Sequence, residues 1–195
     1  MKDGYIKFNC QWIKSGPVSR DHIRQINAWR EKLFAMGLIG AYEDGVGFGN
    51  ISMRYRDNTF IITGSATGGL KKLGESHFTL VAGFSIEKNT ITCQGPIIAS
   101  SESLTHAAIY GCSPKTQSII HVHDMALWKK LMHKIPTTST DVTYGTPAMA
   151  EEMQELFRKT AVERKKILVM GGHEEGIISF GENLDEAGMI LMGYM

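Results

Sequence analysis

Two histidines separated by one valine, His121-Val122-His123, lie in an apolar stretch that opens with Ile119-Ile120 and closes at Asp124. Successive side chains alternate faces along a β-strand, so both imidazoles would project to one side. Ile120 and Val122 would then project to the other, into packing. Two imidazoles on a rigid strand can reach one metal ion. A third His, Glu, Asp or Cys from elsewhere would complete a site with a position open for substrate. The bland alternative is a strand with two half-buried histidines and no ligand.

The chain has seven histidines, and the others differ in promise. His22, His77 and His133 lie in polar surroundings and read as surface residues. His106 follows Glu102 by one helical turn and reads as structural. His173 lies in Gly171-Gly172-His173-Glu174-Glu175-Gly176 between two apolar runs, where a loop can deliver a side chain to the end of a sheet. The glycines would supply the dihedrals such a loop needs. With His121 and His123 it becomes the natural third ligand. Three neutral imidazoles leave an ion its full charge, which suits a Lewis acid polarising a carbonyl. Glu102, at the start of a helix among serines, is the candidate general base; helix-dipole stabilisation explains the same position. Gly49-Asn50 and Thr63-Gly64-Ser65-Ala66 suit an anion, and Ser100-Ser101 could add hydroxyls and N–H groups at a helix N-terminus. None carries the Gly-Lys-Ser or Gly-Lys-Thr of a nucleotide-triphosphate loop.

The elements that would position these residues follow from periodicity. Ser19 as N-cap, apolar positions at Ile23, Ile26, Trp29 or Arg30, Leu33 and Met36, and a closing Gly37 predict an amphipathic helix of about five turns. Ile51–Tyr55 and Thr59–Thr63 read as a hairpin, and Phe78–Cys93 as a second one turning at Glu87-Lys88-Asn89. Ser100-Ser101-Glu102-Ser103 opens a helix ending near Gly111. The strand Ser118–His123 follows, then a short helix over Ala126–His133. Thr146 with Pro147 starts another helix reaching about Thr160. Ile167–Met170 and Ile177–Phe180 are short strands, and Asn183-Leu184-Asp185-Glu186 opens the last helix like a capping box. Residues 1–18 give no clear element beyond the turn at Gly16-Pro17. This order predicts an α/β fold, a mixed and largely antiparallel sheet with helices on its faces, in one domain over 1–195.

Composition removes several functions. Of 195 residues, 43% are hydrophobic and 21% charged, with net charge +1, as for a globular chain rather than a disordered one. Lys71-Lys72, Lys129-Lys130 and Arg164-Lys165-Lys166 are too short for a nucleic-acid groove. Three cysteines, widely spaced, make neither a disulfide framework nor a thiolate knuckle. Met1–Trp12 lacks the apolar run of a leader, and no run approaches the roughly 20 apolar residues of a membrane helix. A cytoplasmic protein is expected.

In order, Gly49-Asn50-Ile51-Ser52, Thr63-Gly64-Ser65, Ser100-Ser101-Glu102 with His106 and Tyr110, His121-Val122-His123, Tyr144-Gly145-Thr146 and His173 resemble the class II aldolase/adducin family, over roughly residues 20 to 190. That family includes fuculose- and rhamnulose-phosphate aldolases and ribulose-phosphate epimerases. The resemblance implies a three-layer α/β/α fold and a divalent ion, usually zinc (Mn2+, Co2+ or Fe2+ otherwise), on His121, His123 and His173. Glu102 would move the proton as an enediolate forms. Gly49, Asn50, Thr63, Gly64, Ser65, Ser100 and Ser101 would hold the phosphate of a small sugar-phosphate-like substrate. It further implies a homo-oligomer, with a tetramer favoured, and an aldolase-type lyase. Epimerase, dehydratase and decarboxylase reactions use the same logic, and adducin-like members bind without catalysis. Three departures stand out. The His123-to-Tyr144 interval is short, leaving Tyr144 and Tyr194 as the tyrosines considered for the family's acid. Glu174-Glu175 replace the glycine expected after the third histidine, as a solvated bulge or as groups altering coordination. A long C-terminal tail closing over the site is not expected.

Overall fold

A computed structural model describes residues 4–195. Met1–Asp3, the start of the stretch read as lacking a leader, lie outside the described residues. In chain order the strands are β1 (Asn9–Lys14), β2 (Gly40–Ala41), β3 (Gly47–Phe48), β4 (Asn50–Arg56), β5 (Thr59–Thr63), β6 (Phe78–Ser85), β7 (Thr90–Gly95), β8 (Ser118–His123), β9 (Ile167–Val169) and β10 (Gly176–Gly181). The helices are α1 (Arg20–Ala35), α2 (Ser103–Cys112), α3 (Met125–Leu131), α4 (Pro147–Lys159), α5 (Val162–Lys165) and α6 (Leu184–Met192).

One eight-stranded sheet runs β1-β7-β6-β5-β4-β8-β10-β9. Among these strands only β1–β7 is parallel; every other neighbouring pair is antiparallel. The alternation read in β8 has its structural counterpart. Ile120 and Val122 pack with Ile26 and Leu33 of α1, Leu127 and Leu131 of α3, and Leu184 and Leu191 of α6. Ile119 packs on the opposite face with Leu104 and Ala107 of α2 and Met149 and Met153 of α4. Each sheet face thus has its own apolar layer, and the fold is three-layer α/β/α with a mixed, largely antiparallel sheet.

Helix ends follow local chemistry. Thr146 Oγ1 accepts the Met149 N–H and Pro147 takes the first turn of α4. Asn183 caps α6 through the Glu186 N–H at 2.8 Å, while Glu186 Oε2 accepts the Glu182 N–H at 2.6 Å. Gly37 closes α1 in the left-handed region at φ 75°. Two details of α1 differ from expectation. Ser19 bonds the His22 ring rather than a backbone N–H, and Met36 is 43% exposed, because the helix has ended at Ala35. Sequence periodicity also missed β1, the β2–β3 pair and the single turn α5.

Arg30 is the largest fully buried side chain of α1 and couples that helix to a loop. Its guanidinium donates to the carbonyls of Lys71, Thr67 and Gly68 at 3.3, 3.1 and 2.8 Å. It thereby fixes the segment that follows Ser65. Arg30→Ala strips three carbonyls of a charged donor and leaves a void, so unfolding in urea is expected to show a loss of about 3 kcal/mol. A midpoint equal to that of the unaltered chain would contradict this role.

Candidate metal centre

The centre lies at the C-terminal end of β8, where the sheet aligns three elements. His121 is paired with Asn50 of β4 and Ile178 of β10, and His123 with Gly176. His121 and His123 share one face, as the two-residue period requires. His173 comes from the β9–β10 turn, whose N–H and carbonyl are tied to the Met170 carbonyl and the Gly176 N–H. The glycines there act through space rather than dihedral freedom. Gly171, Gly172 and Gly176 all lack positive φ. A Cβ on Gly171 or Gly172 would strike the carbonyls of Thr138 or Val142, and one on Gly176 would lie 2.7 Å from the His173 ring.

The three imidazoles meet nitrogen to nitrogen. His123 Nε2 lies 3.2 Å from His121 Nε2 and 3.0 Å from His173 Nε2, and all three rings are buried. His121 Nδ1 faces the Ile177 carbonyl at 3.2 Å and can meet it only as a donor, so its Nε2 bears the lone pair. A tetrahedral zinc with nitrogen ligands at ≈ 2.0–2.1 Å would separate those nitrogens by about 3.3 Å. The donor set therefore fits a divalent ion such as zinc.

Burial holds all three imidazoles neutral. It lowers His121 to about 4, against a smaller raising effect from the Ile177 carbonyl. His123 falls well below the ordinary range through burial and then His121; His173 does so through burial, His123, His121 and Lys7. Unfolded imidazoles take up protons below about pH 6.5, whereas folded His121 does so only near pH 4. The ion-free protein should therefore hold its full stability above pH 6.5 and lose about 3 kcal/mol from His121 alone as pH falls to 4. Urea midpoints measured in chelator across that range test it; a flat profile would count against these neutral imidazoles.

Around the histidines lies a narrow recess. Glu102 lines it, 2% exposed, with Oε2 accepting the Thr105 hydroxyl at 2.8 Å. Its carboxylate caps no backbone N–H of α2. Gly49, Asn50, Gly64, Ser65, Ser100 and Ser101 line the same recess. Asn50 Oδ1 is buried with no hydrogen-bond partner among the described residues. Gly49 combines φ 75° with Ile39 Cγ1 2.7 Å from where a Cβ would stand. Thr63 is not in the lining: it is buried, and its hydroxyl accepts the Ile51 N–H at 3.4 Å. The N–H groups of Gly64 and Ser65 are engaged by the carbonyls of His77 and Ile98.

Of the two tyrosines considered, Tyr144 lines the recess, its ring centroid 4.5 Å from that of His173. Tyr194 packs in the α1/α3/α6 layer instead. Lys7 donates to the Tyr144 carbonyl at 3.0 Å and stands 3.3 Å from its ring centroid. His106 is buried behind the centre, bonded to Ser52 Oγ at 2.8 Å, which in turn contacts the Tyr110 hydroxyl at 2.8 Å. His133 is exposed as expected, but His22 and His77 are half-buried, each engaged with its own helix cap or turn. Ala66, the end of the segment read as suited to an anion, also lines the recess; sequence reasoning missed Gly4, Gly47, Phe48, Thr67 and Gly68. It also missed Tyr42, whose hydroxyl lies behind His123. The glycine-rich run Gly45–Asn50 was the one local signal for Gly47 and Phe48.

Comparison with known proteins extends this geometry. Residues 42–192 match the family described as Class II Aldolase and Adducin N-terminal domain. No curated protein matches. Among solved structures, an L-fuculose 1-phosphate aldolase is similar at 20% identity and TM-score 0.68, over 90% of this chain and 82% of that one. The L-fuculose-1-phosphate aldolase from Thermus thermophilus is similar at 21% identity and TM-score 0.64, over 90% of each chain. A sugar-phosphate aldolase from Thermotoga maritima is similar at 18% identity and TM-score 0.65, again over 90% of each. The TM-scores establish a shared fold, and at these identities the likeness is one of fold alone. No described helix is long and apolar enough to cross a membrane.

Proposed function

The chain belongs to the class II aldolase/adducin family, and on that basis we propose that it is a metal-dependent lyase. It would cleave or form a carbon–carbon bond in a small, phosphorylated hydroxy-ketone. One observation carries the reading: three Nε2 atoms converge in the recess that Glu102 and two anion-suited loops also line. In the proposal His121, His123 and His173 hold a divalent ion, zinc by donor set, with Mn2+, Co2+ or Fe2+ as alternatives. When bound, the ion supplies Lewis-acid charge that polarises a substrate carbonyl. Glu102 takes the proton beside that carbonyl, or returns it, with its carboxylate steadied by Thr105. Asn50, Ser65, Ser100 and Ser101 hold the phosphate along the wall formed with Gly49 and Gly64. Tyr144 is the acid we assign to the departing fragment, on its contact with His173. The proposal includes a cytoplasmic homo-oligomer, a tetramer by family resemblance, with each chain working as one domain.

The similar structures named above are sugar-phosphate aldolases, so phosphorylated keto-sugars are the first substrates to try. Zinc-loaded protein is expected to split at least one of a panel into two fragments, read by mass spectrometry. A product of unchanged mass would instead assign epimerisation, loss of water dehydration, and loss of carbon dioxide decarboxylation. Bound metal without turnover on the whole panel would sink the lyase reading in favour of an adducin-like binding role.

A further inference from the structure

The acidic pair beside the third histidine divides. Glu174 is exposed, whereas Glu175 turns inward behind His123. The Tyr42 hydroxyl donates to Glu175 Oε2 at 2.8 Å, and the same hydroxyl oxygen lies 2.7 Å from His123 Nδ1. A tyrosine hydroxyl has one proton. With that proton directed at the carboxylate, its oxygen meets Nδ1 only as an acceptor from Nδ1–H. A neutral imidazole protonated at Nδ1 carries its lone pair on Nε2, the atom that faces His121 and His173. Glu175 Oε2 is itself 3.7 Å from His123 Nδ1, so Tyr42 is the bridge between them. Phe48, stacked on the His123 ring with centroids 5.3 Å apart, fixes its plane.

The backbone adds a second, independent observation. Glu175 occupies the left-handed region at φ 68°, while the loop's three glycines do not. Glycine would adopt that conformation without strain, and a long acidic side chain rarely does. The chain thus accepts strain at the one loop position from which a carboxylate meets the Tyr42 hydroxyl.

We propose that Tyr42 and Glu175 are positioning residues of the candidate metal centre: Glu175 orients the Tyr42 hydroxyl, which holds His123 in the Nδ1–H tautomer with Nε2 directed at the ion. This rests on reading His121, His123 and His173 as ligands. Neither positioning residue lines the recess. They act through His123, and the carboxylate at the far end of the relay makes the imidazole a stronger donor to the ion.

The test uses full-length ion-free protein titrated with zinc against a competing chelator, alongside 15N shifts of the histidine rings. Tyr42→Phe is expected to weaken zinc binding roughly 10–100-fold and to give His123 a mixed tautomer population. Glu175→Gly suits the left-handed backbone, so it should keep or raise the thermal stability of the ion-free protein while still weakening zinc binding. Glu174→Gln should bind zinc as the unaltered chain does. Zinc affinity within twofold of the unaltered protein in both Tyr42→Phe and Glu175→Gly would overturn the relay and leave the three-histidine reading standing. Failure of the unaltered protein to bind zinc, cobalt or manganese would overturn both.

Discussion

His173→Ala is expected to abolish binding of the divalent ion and to reduce turnover to background, roughly 10³-fold or more. The size follows from geometry. His173 Nε2 stands 3.0 Å from its nearest partner nitrogen in a buried cluster, and among the described residues no carboxylate belongs to the convergent set that could take its place. Two imidazoles on one strand would remain, too few to hold an ion firmly in competition with water. Stability gives a second readout. An ion present at about 1,000 times its dissociation constant adds about 4 kcal/mol to the folded state. For 195 residues that is about 10 °C in melting temperature. Chelator should therefore lower the melting temperature of the unaltered protein by about that much and leave His173→Ala unmoved. An equal chelator effect on both would mean that the ion sits elsewhere.

Glu102→Gln should separate binding from chemistry. The side chain keeps its shape and can still accept the Thr105 hydroxyl, so the buried start of α2 has no reason to rearrange. Metal content per chain should match that of the unaltered protein. Turnover is expected to fall about 10²–10⁴-fold, because an amide cannot take up a proton at neutral pH. A variant that kept both its metal and its rate would remove Glu102 from the mechanism and return it to a structural place at the helix start.

The parts of this molecule that were legible beforehand are those whose signal is local. The alternation of Ile119 to His123, the Thr146-Pro147 start, the Asn183 cap and Gly37 each state their conformation within a few residues. β1 carries no such statement. It lies at the sheet edge with almost every residue exposed, so no face of it is marked by burial. The β2–β3 pair and α5 are too short to show a period. That Thr63 lies outside the lining could not be read locally, because a hydroxyl in a Thr-Gly-Ser run looks alike whether it faces a recess or a neighbouring strand. Glycines 171 and 172 are needed for room rather than for dihedral freedom, since crowding by carbonyls 30 or more residues away has no local trace, while Gly176 makes room for the nearby His173 ring. The approach of Tyr42, Phe48 and Lys7 to the histidines is likewise tertiary: Tyr42 and Phe48 come from the separate β2–β3 pair and its connection, and Lys7 precedes β1, an edge strand in the order of the main sheet.

That sheet order sets up a gradient of local opening across the site. β8 is flanked by β4 and β10 and buried on both faces, so its amides should exchange with solvent only when the whole molecule unfolds. β1 is hydrogen-bonded along one side only, and the residues just before it reach the mouth of the recess: Gly4 lines it, and the Tyr5 N–H and Lys7 ammonium both contact Tyr144. Fraying of that edge strand costs far less than global unfolding and would draw those contacts away while the three imidazoles keep their spacing. The rigid floor and the breathing rim thus belong to opposite ends of the same stability scale.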